Sequence, residues 1–130
     1  MIGLDTNILV RYLTHDDPGQ TAAAVKAIDA LTAEAPGFIS LIVVAELVWV
    51  LDGAYHFKKD EIEEVLEAIL RSKELAVERA ELVWQALHKF HSNRADFSDC
   101  LIERSAHAAE CTYTLTFDQR AAAAGMRLLK

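Results

Sequence analysis

The sequence predicts an α/β domain built on a parallel sheet covered by helices on both faces, and three observations predict it. Short apolar runs alternate with longer stretches of helical period from one end of the chain to the other, the order expected of strands joined by crossover helices. Parallel strands need such long connections and are covered on both faces by them. No linker, repeat or low-complexity block interrupts the pattern, and 130 residues that are 52% hydrophobic suffice for one core, so residues 1–130 read as a single domain.

In chain order, a strand is expected over Ile2–Asp5, followed by a helix over Asn7–Leu13 behind the capping-rich Asp5-Thr6-Asn7. A second helix spans Pro18–Thr32, and a strand Gly37–Ile39 follows. Ser40 is the N-cap of a helix over Leu41–Leu51 that is apolar nearly all round, which implies burial on most sides. The helix over Lys59–Ser72 has the clearest period, with Ile62, Val65, Leu66, Ile69 and Leu70 on one face and Glu61, Glu63, Glu64 and Glu67 largely off it. Strand Leu75–Val77, helix Arg79–Phe90, helix Phe97–Ala109 and strand Thr112–Thr116 complete the middle of the chain. A short helix over Gln119–Ala123 stops at Gly125, since glycine tolerates the left-handed conformation common just past a helix end, and a strand Arg127–Leu129 closes the pattern.

Neither Cys100 nor Cys111 belongs to a metal-binding pair such as C-x-x-C, and both read as core or partly buried thiols, with nothing to suggest an oxidising compartment. The longest apolar run, Leu41–Leu51, is broken by Glu46 and is too short to span a bilayer. With no signal-peptide pattern at Met1, a cytoplasmic protein is expected. The formal charge of −7 argues at first against a nucleic-acid partner. Setting aside the five acids discussed next leaves 15 acidic residues against 13 Lys and Arg, a balance of −2, so total charge does not decide the matter.

Those five are Asp5, Glu46, Asp96, Asp99 and Asp118. Each lies at the end of an apolar run or inside one, where an ionised carboxylate is costly unless paired or metal-bound, and no set of Lys or Arg is spaced to pair with them. In open α/β sheets, sites form where the chain leaves strand for helix, and all five acids fall at or near such places. Each also has a plainer reading. Asp5, Asp96 and Asp118 are well placed as helix caps, Asp99 suits the first turn electrostatically, and Glu46 could emerge at an exposed gap of its helix. On the functional reading Asp5 is the central ligand with Thr6 and Asn7 supporting its turn, and Asp99 is a stronger ligand candidate than Asp96. The acid-free stretch Leu82–Ala95 carries His88, Lys89, His91 and Arg94, either an ordinary basic helix end or a phosphate-contacting rim beside the site in which Lys89 and Arg94 would make the contacts. His88 and His91 lack partners for a zinc site, and Tyr12, Trp49 and Trp84 read as core or interface residues.

Taken in order, Asp5-Thr6-Asn7 after the opening strand, Val44-Ala45-Glu46-Leu47, Asp96-Phe97-Ser98-Asp99 with Leu101-Ile102, and Leu115-Thr116-Phe117-Asp118 resemble the PIN-domain nucleases, and within them the VapC-type toxins of toxin–antitoxin pairs. Each motif is short; the ordered set, running the length of the chain, is what makes the resemblance specific. It implies a three-layer α/β/α fold with a central parallel sheet and a magnesium- or manganese-dependent endoribonuclease, usually a homodimer, held inactive by a VapB-type antitoxin. The metal-site acids of the family match Asp5, Glu46, Asp99 and Asp118. Asp96 is a companion of that set, and Thr116 a polar neighbour of the last acid. Carboxylate-held divalent ions suit phosphodiester hydrolysis because they activate water and stabilise charge on the attacking and leaving oxygens.

Two rival readings fit less well. A dehalogenase-like phosphatase resembles Asp-x-Asp at the first strand end, where this chain has Asn7, and a receiver module wants an acidic pair there. The rival of another class is a catalytically idle PIN-like module that binds RNA or protein.

Overall fold

The computed structural model describes residues 1–130, which divide into two compact units, Met1–Glu78 and Arg79–Lys130. The first unit runs β1 (Ile2–Gly3), α1 (Thr6–Thr14), α2 (Pro18–Asp29), β2 (Gly37–Ile39), α3 (Leu41–Gly53), α4 (Lys59–Arg71) and β3 (Leu75–Val77). The second runs α5 (Ala80–Ser92), α6 (Phe97–Ala108), β4 (Leu115–Thr116), α7 (Gln119–Ala122) and β5 (Arg127–Leu128). Every expected element is present, with ends shifted by a few residues.

In the first unit the strands pair β1-β2-β3, all parallel, with Ile2 opposite Gly37 and Phe38 opposite Ala76. Gly37 is buried at the centre of this sheet, and a Cβ there would stand 2.7 Å from Leu4 Cδ1 and 2.9 Å from Leu31 Cδ1, so close side-chain packing requires the glycine. Ile39, Val44, Leu47, Leu51 and Leu66 are almost fully buried. The spacing of Val44, Leu47, Val48 and Leu51 along α3, and of Ile62, Leu66 and Ile69 along α4, places one apolar stripe inward on each helix, which is what makes these segments fold as helices in this context. The ends are capped as the side chains dictate: Ser40 Oγ accepts from the Val43 N–H at 3.2 Å, Asp17 accepts from Gln20 N–H at 3.0 Å, and Glu61 reaches back to the Lys58 N–H at 2.8 Å.

The second unit packs α5 against α6, with Phe90 and Phe97 edge-to-face at 5.9 Å and Val83, Ala86 and Cys100 wholly buried. Its strands β4 and β5 form their own parallel pair, Leu115 opposite Arg127 and Thr116 opposite Leu128. The expected strand over Thr112–Thr116 is thus shortened to two ladder residues. Cys111, expected to open it, is exposed, while Cys100 is buried as expected. Gly125 takes φ +105° just beyond the final short helix, the left-handed stop its position predicted.

Candidate metal-binding acids

In the first unit, Asp5 is the N-cap of α1, and its Oδ1 accepts from the Thr6 N–H at 2.7 Å. The cap engages Oδ1 of the carboxylate and leaves Oδ2 outside that bond. Thr6 is the one buried polar side chain of the chain, and its hydroxyl donates a short hydrogen bond to Glu46 Oε1. That bond fixes the Glu46 carboxylate relative to the helix start bearing Asp5. Asn7 is exposed at the same start, with Asp5 immediately before Thr6.

These acids are less buried than the apolar runs around them imply. Asp5, Glu46, Asp96 and Asp118 are exposed, and only Asp99 is partly buried. Glu46 sits on a solvent-facing stripe of α3 with Ile42 and Trp49, which are 78% and 74% exposed. A helix apolar all round was expected to bury most of its faces and Trp49 with them. Instead it buries only the stripe carrying Val44, Leu47, Val48 and Leu51 and leaves large apolar side chains in solvent around the acid.

In the second unit, Asp96 is the N-cap of α6 by backbone conformation, but its side chain makes no capping bond; it pairs with Arg120 Nη2 at 3.1 Å. The same guanidinium reaches the Arg94 carbonyl at 3.4 Å. Asp118 caps α7 by accepting from Arg120 N–H at 2.8 Å, and its own N–H donates to Thr116 Oγ1 at 3.0 Å, which gives Thr116 a structural role in placing the acid. Asp99, at the third helical position, projects from the helix itself. Its carboxyl is held above the usual carboxylate range, first by burial and then by the negative charges of Asp96 and Asp118, with Arg120 opposing. Arg120 was not singled out from the sequence; its place one residue beyond Asp118-Gln119 was the available signal.

Lys89 is engaged internally. Its ammonium pairs with Glu103 at 2.7 Å and donates a short bond to the Ala124 carbonyl, and Arg104 completes the cluster on Glu103 at 2.7 Å. The Glu103 carboxyl is accordingly lowered to about 2, chiefly by Arg104 and with help from Lys89. Of the two cations expected at a phosphate-contacting rim, Arg94 is the exposed one.

Within neither unit do three His, Cys, Asp or Glu side chains stand together as a ready-made metal cage. The donor chemistry nevertheless suits a hard divalent ion: carboxylate oxygens, several of them exposed, with like charges crowded around Asp99. The first unit also holds a groove of about 610 Å³ that the sequence did not announce, with Leu9, Tyr12, Leu13 and Phe57 in its lining and Glu61, Glu64 and Glu74 among its acidic residues. No helix is long and apolar enough to cross a membrane.

A family model described as PIN domain matches residues 2–125. The chain is also 25% identical over 118 residues to a protein named VapC ribonuclease from Aquifex aeolicus (strain VF5), an alignment covering 90% of this chain and 87% of that protein.

Proposed function

The chain belongs to the PIN-domain family, and from that premise we propose that it is a metal-dependent endoribonuclease, the toxin of a toxin–antitoxin pair, whose ion is held by Asp5, Glu46, Asp99 and Asp118. The observation that carries the reading is the coincidence of a family match running from residue 2 to 125 with carboxylates at the starts of α1, α6 and α7 and within α3. The match runs through both compact units, which supports their acting as one domain. Mg2+ or Mn2+ is the fitting ion, since both are hard cations that take oxygen ligands.

When bound, such an ion supplies an activated water and stabilises charge on the attacking and leaving oxygens of the phosphodiester. The chain's own residues orient the acids. The Thr6 hydroxyl holds one oxygen of Glu46, the Thr6 N–H holds one of Asp5, and Thr116 and the Arg120 N–H set the turn that carries Asp118. Asp96, tied to Arg120, acts as a supporting charge beside Asp99. Arg94 serves as an RNA phosphate contact; Lys89, already bound to Glu103, serves packing.

The partner expected with this function is a VapB-type antitoxin. The acidic character of the first unit, with 14 Asp and Glu against 6 Lys and Arg, favours a partner segment rich in Arg or Lys, because charge-assisted pairing with carboxylates is strong. A homodimer working in the cytoplasm completes the proposal. Antitoxin affinity measured against Asp5→Asn and Glu46→Gln, both in the acidic unit, is the test of its charge basis: weakening in these variants is expected, and unchanged affinity in both contradicts it.

A further inference from the structure

The chain's net charge of −7 is unevenly divided. Residues 1–78 carry 14 acids and 6 Lys and Arg, a balance of −8; residues 79–130 carry 6 acids and 7 Lys and Arg, a balance of +1. An RNA strand, with a phosphate at every nucleotide, is repelled by the first unit and tolerated by the second.

The second unit also presents an apolar surface that the fold leaves uncovered. Paired residues of a parallel ladder share a face, and alternate residues of one strand return to it. Leu115 opposite Arg127 therefore defines a face that Tyr113 and Leu129 join by alternation, and Phe117, in the bend directly after β4, borders it in the chain. All four of these large apolar side chains are exposed, Phe117 the most at 80%. Met126, on the other face, is buried, so the outward side is the one left in solvent. The Arg127 guanidinium lies over the Tyr113 ring, 3.7 Å from its centroid, making a flat cationic and aromatic step beside the Leu115 side chain. Phe117 immediately precedes Asp118. Trp49 is comparably exposed and lies a turn from Glu46, but its helix contains no Lys or Arg and belongs to the strongly acidic unit.

We propose that this outward face of the β4–β5 pair, with Phe117, Tyr113 and Arg127 as its working residues, is a stacking platform for single-stranded RNA that sets a base next to Asp118. Aromatic rings combined with a cation suit bases and their phosphates, and stacking is tolerant of sequence because every base has a π face. The inference rests on the ribonuclease reading and names how its substrate strand is held.

The test is binding without cleavage. A fluorescein-labelled, unstructured RNA of about a dozen nucleotides, within the usual range of single-strand site sizes, is titrated with the protein in EDTA at low salt and followed by anisotropy. Phe117→Ala is expected to weaken binding about tenfold or more, and Phe117→Trp to retain it, since a second aromatic restores stacking. Trp49→Ala is expected to bind like the unaltered chain. Arg127→Gln is expected to lower the slope of log affinity against log salt by about one. Unchanged melting temperature in Phe117→Ala confirms that the fold is intact, as an exposed side chain allows. Equal binding by Phe117→Ala overturns the platform while leaving the ribonuclease reading in place if the unaltered chain still cleaves RNA with Mg2+. A chain that neither binds nor cleaves RNA overturns both. Loss of binding accompanied by a fall in sedimentation mass from dimer to monomer identifies the face as a contact between copies and also overturns the proposal.

Discussion

At the third position of α6 the Asp99 carboxyl is pushed upward by burial and by Asp96 and Asp118, so its ionised form is disfavoured in the folded chain without metal. A raised acid pKa means that the folded state holds its proton more tightly than the unfolded state. The carboxylate therefore costs stability above that raised value, and the cost vanishes as pH falls below the ordinary value of 3.8. Asp99→Asn is expected to abolish cleavage, to leave the metal-free protein equally or more stable at neutral pH, and to shrink the rise in melting temperature on adding Mg2+, because a ligand that binds only the folded state stabilises it by mass action. Thermal unfolding with and without Mg2+, repeated at acid pH where any gain in stability disappears, checks all three. Asp96→Asn is expected to keep more activity, since Asp96 is tied to Arg120. Glu103 has the opposite sign. Its carboxyl is lowered from 4.5 to about 2, so its stabilisation is present above 4.5 and lost as pH falls towards 2. Glu103→Gln is expected to cost about 1–2 kcal/mol at pH 7 by leaving the Lys89 and Arg104 cations poorly paired, a loss that fades across that acid window in denaturant melts.

The helices were more legible than the strands because their signals are local. Ser40, Asp17, Asp5 and Asp118 cap where their side chains can reach orphan backbone N–H groups, and Gly125 stops the chain where φ is positive. Strand ends were harder to place: β4 keeps only Leu115–Thr116 of its expected run, since pairing depends on a partner twelve residues away along the chain rather than on local pattern. The exposure of α3 was misread for a related reason. Composition says that a helix is apolar, but only tertiary packing says which apolar side chains are covered, and Ile42 and Trp49 are not. Two element-level outcomes follow from the caps and stops. Ser40→Ala is expected to lower stability by about 1 kcal/mol through the lost bond to Val43 N–H. Gly125→Ala is expected to cost about 1 kcal/mol or more in chemical denaturation, since φ is +105° and the added Cβ would stand 2.9 Å from the Lys89 ammonium.

For the molecule as a whole, the α/β class and parallel pairing were readable from the alternation of runs and periods, and the family from an ordered set of motifs that individually decide little. The candidate acids were readable as a list, but not their environments. Four are exposed, Asp5 and Asp118 serve as caps as well, and Glu46 depends on a hydroxyl forty residues away, which no local spacing could show. Nor did the total charge disclose that one unit is strongly acidic and the other nearly balanced. The central claim is that these carboxylates run metal-dependent hydrolysis of RNA. Its most direct test is cleavage of a structured RNA by the purified protein in Mg2+ or Mn2+, in EDTA, and in EDTA followed by excess Mg2+, with Asp99→Asn as a parallel sample. The account predicts cleavage with metal, none in EDTA, recovery when Mg2+ is returned, and none from Asp99→Asn; hydrolysis that persists undiminished in EDTA, or full activity in Asp99→Asn, would contradict it.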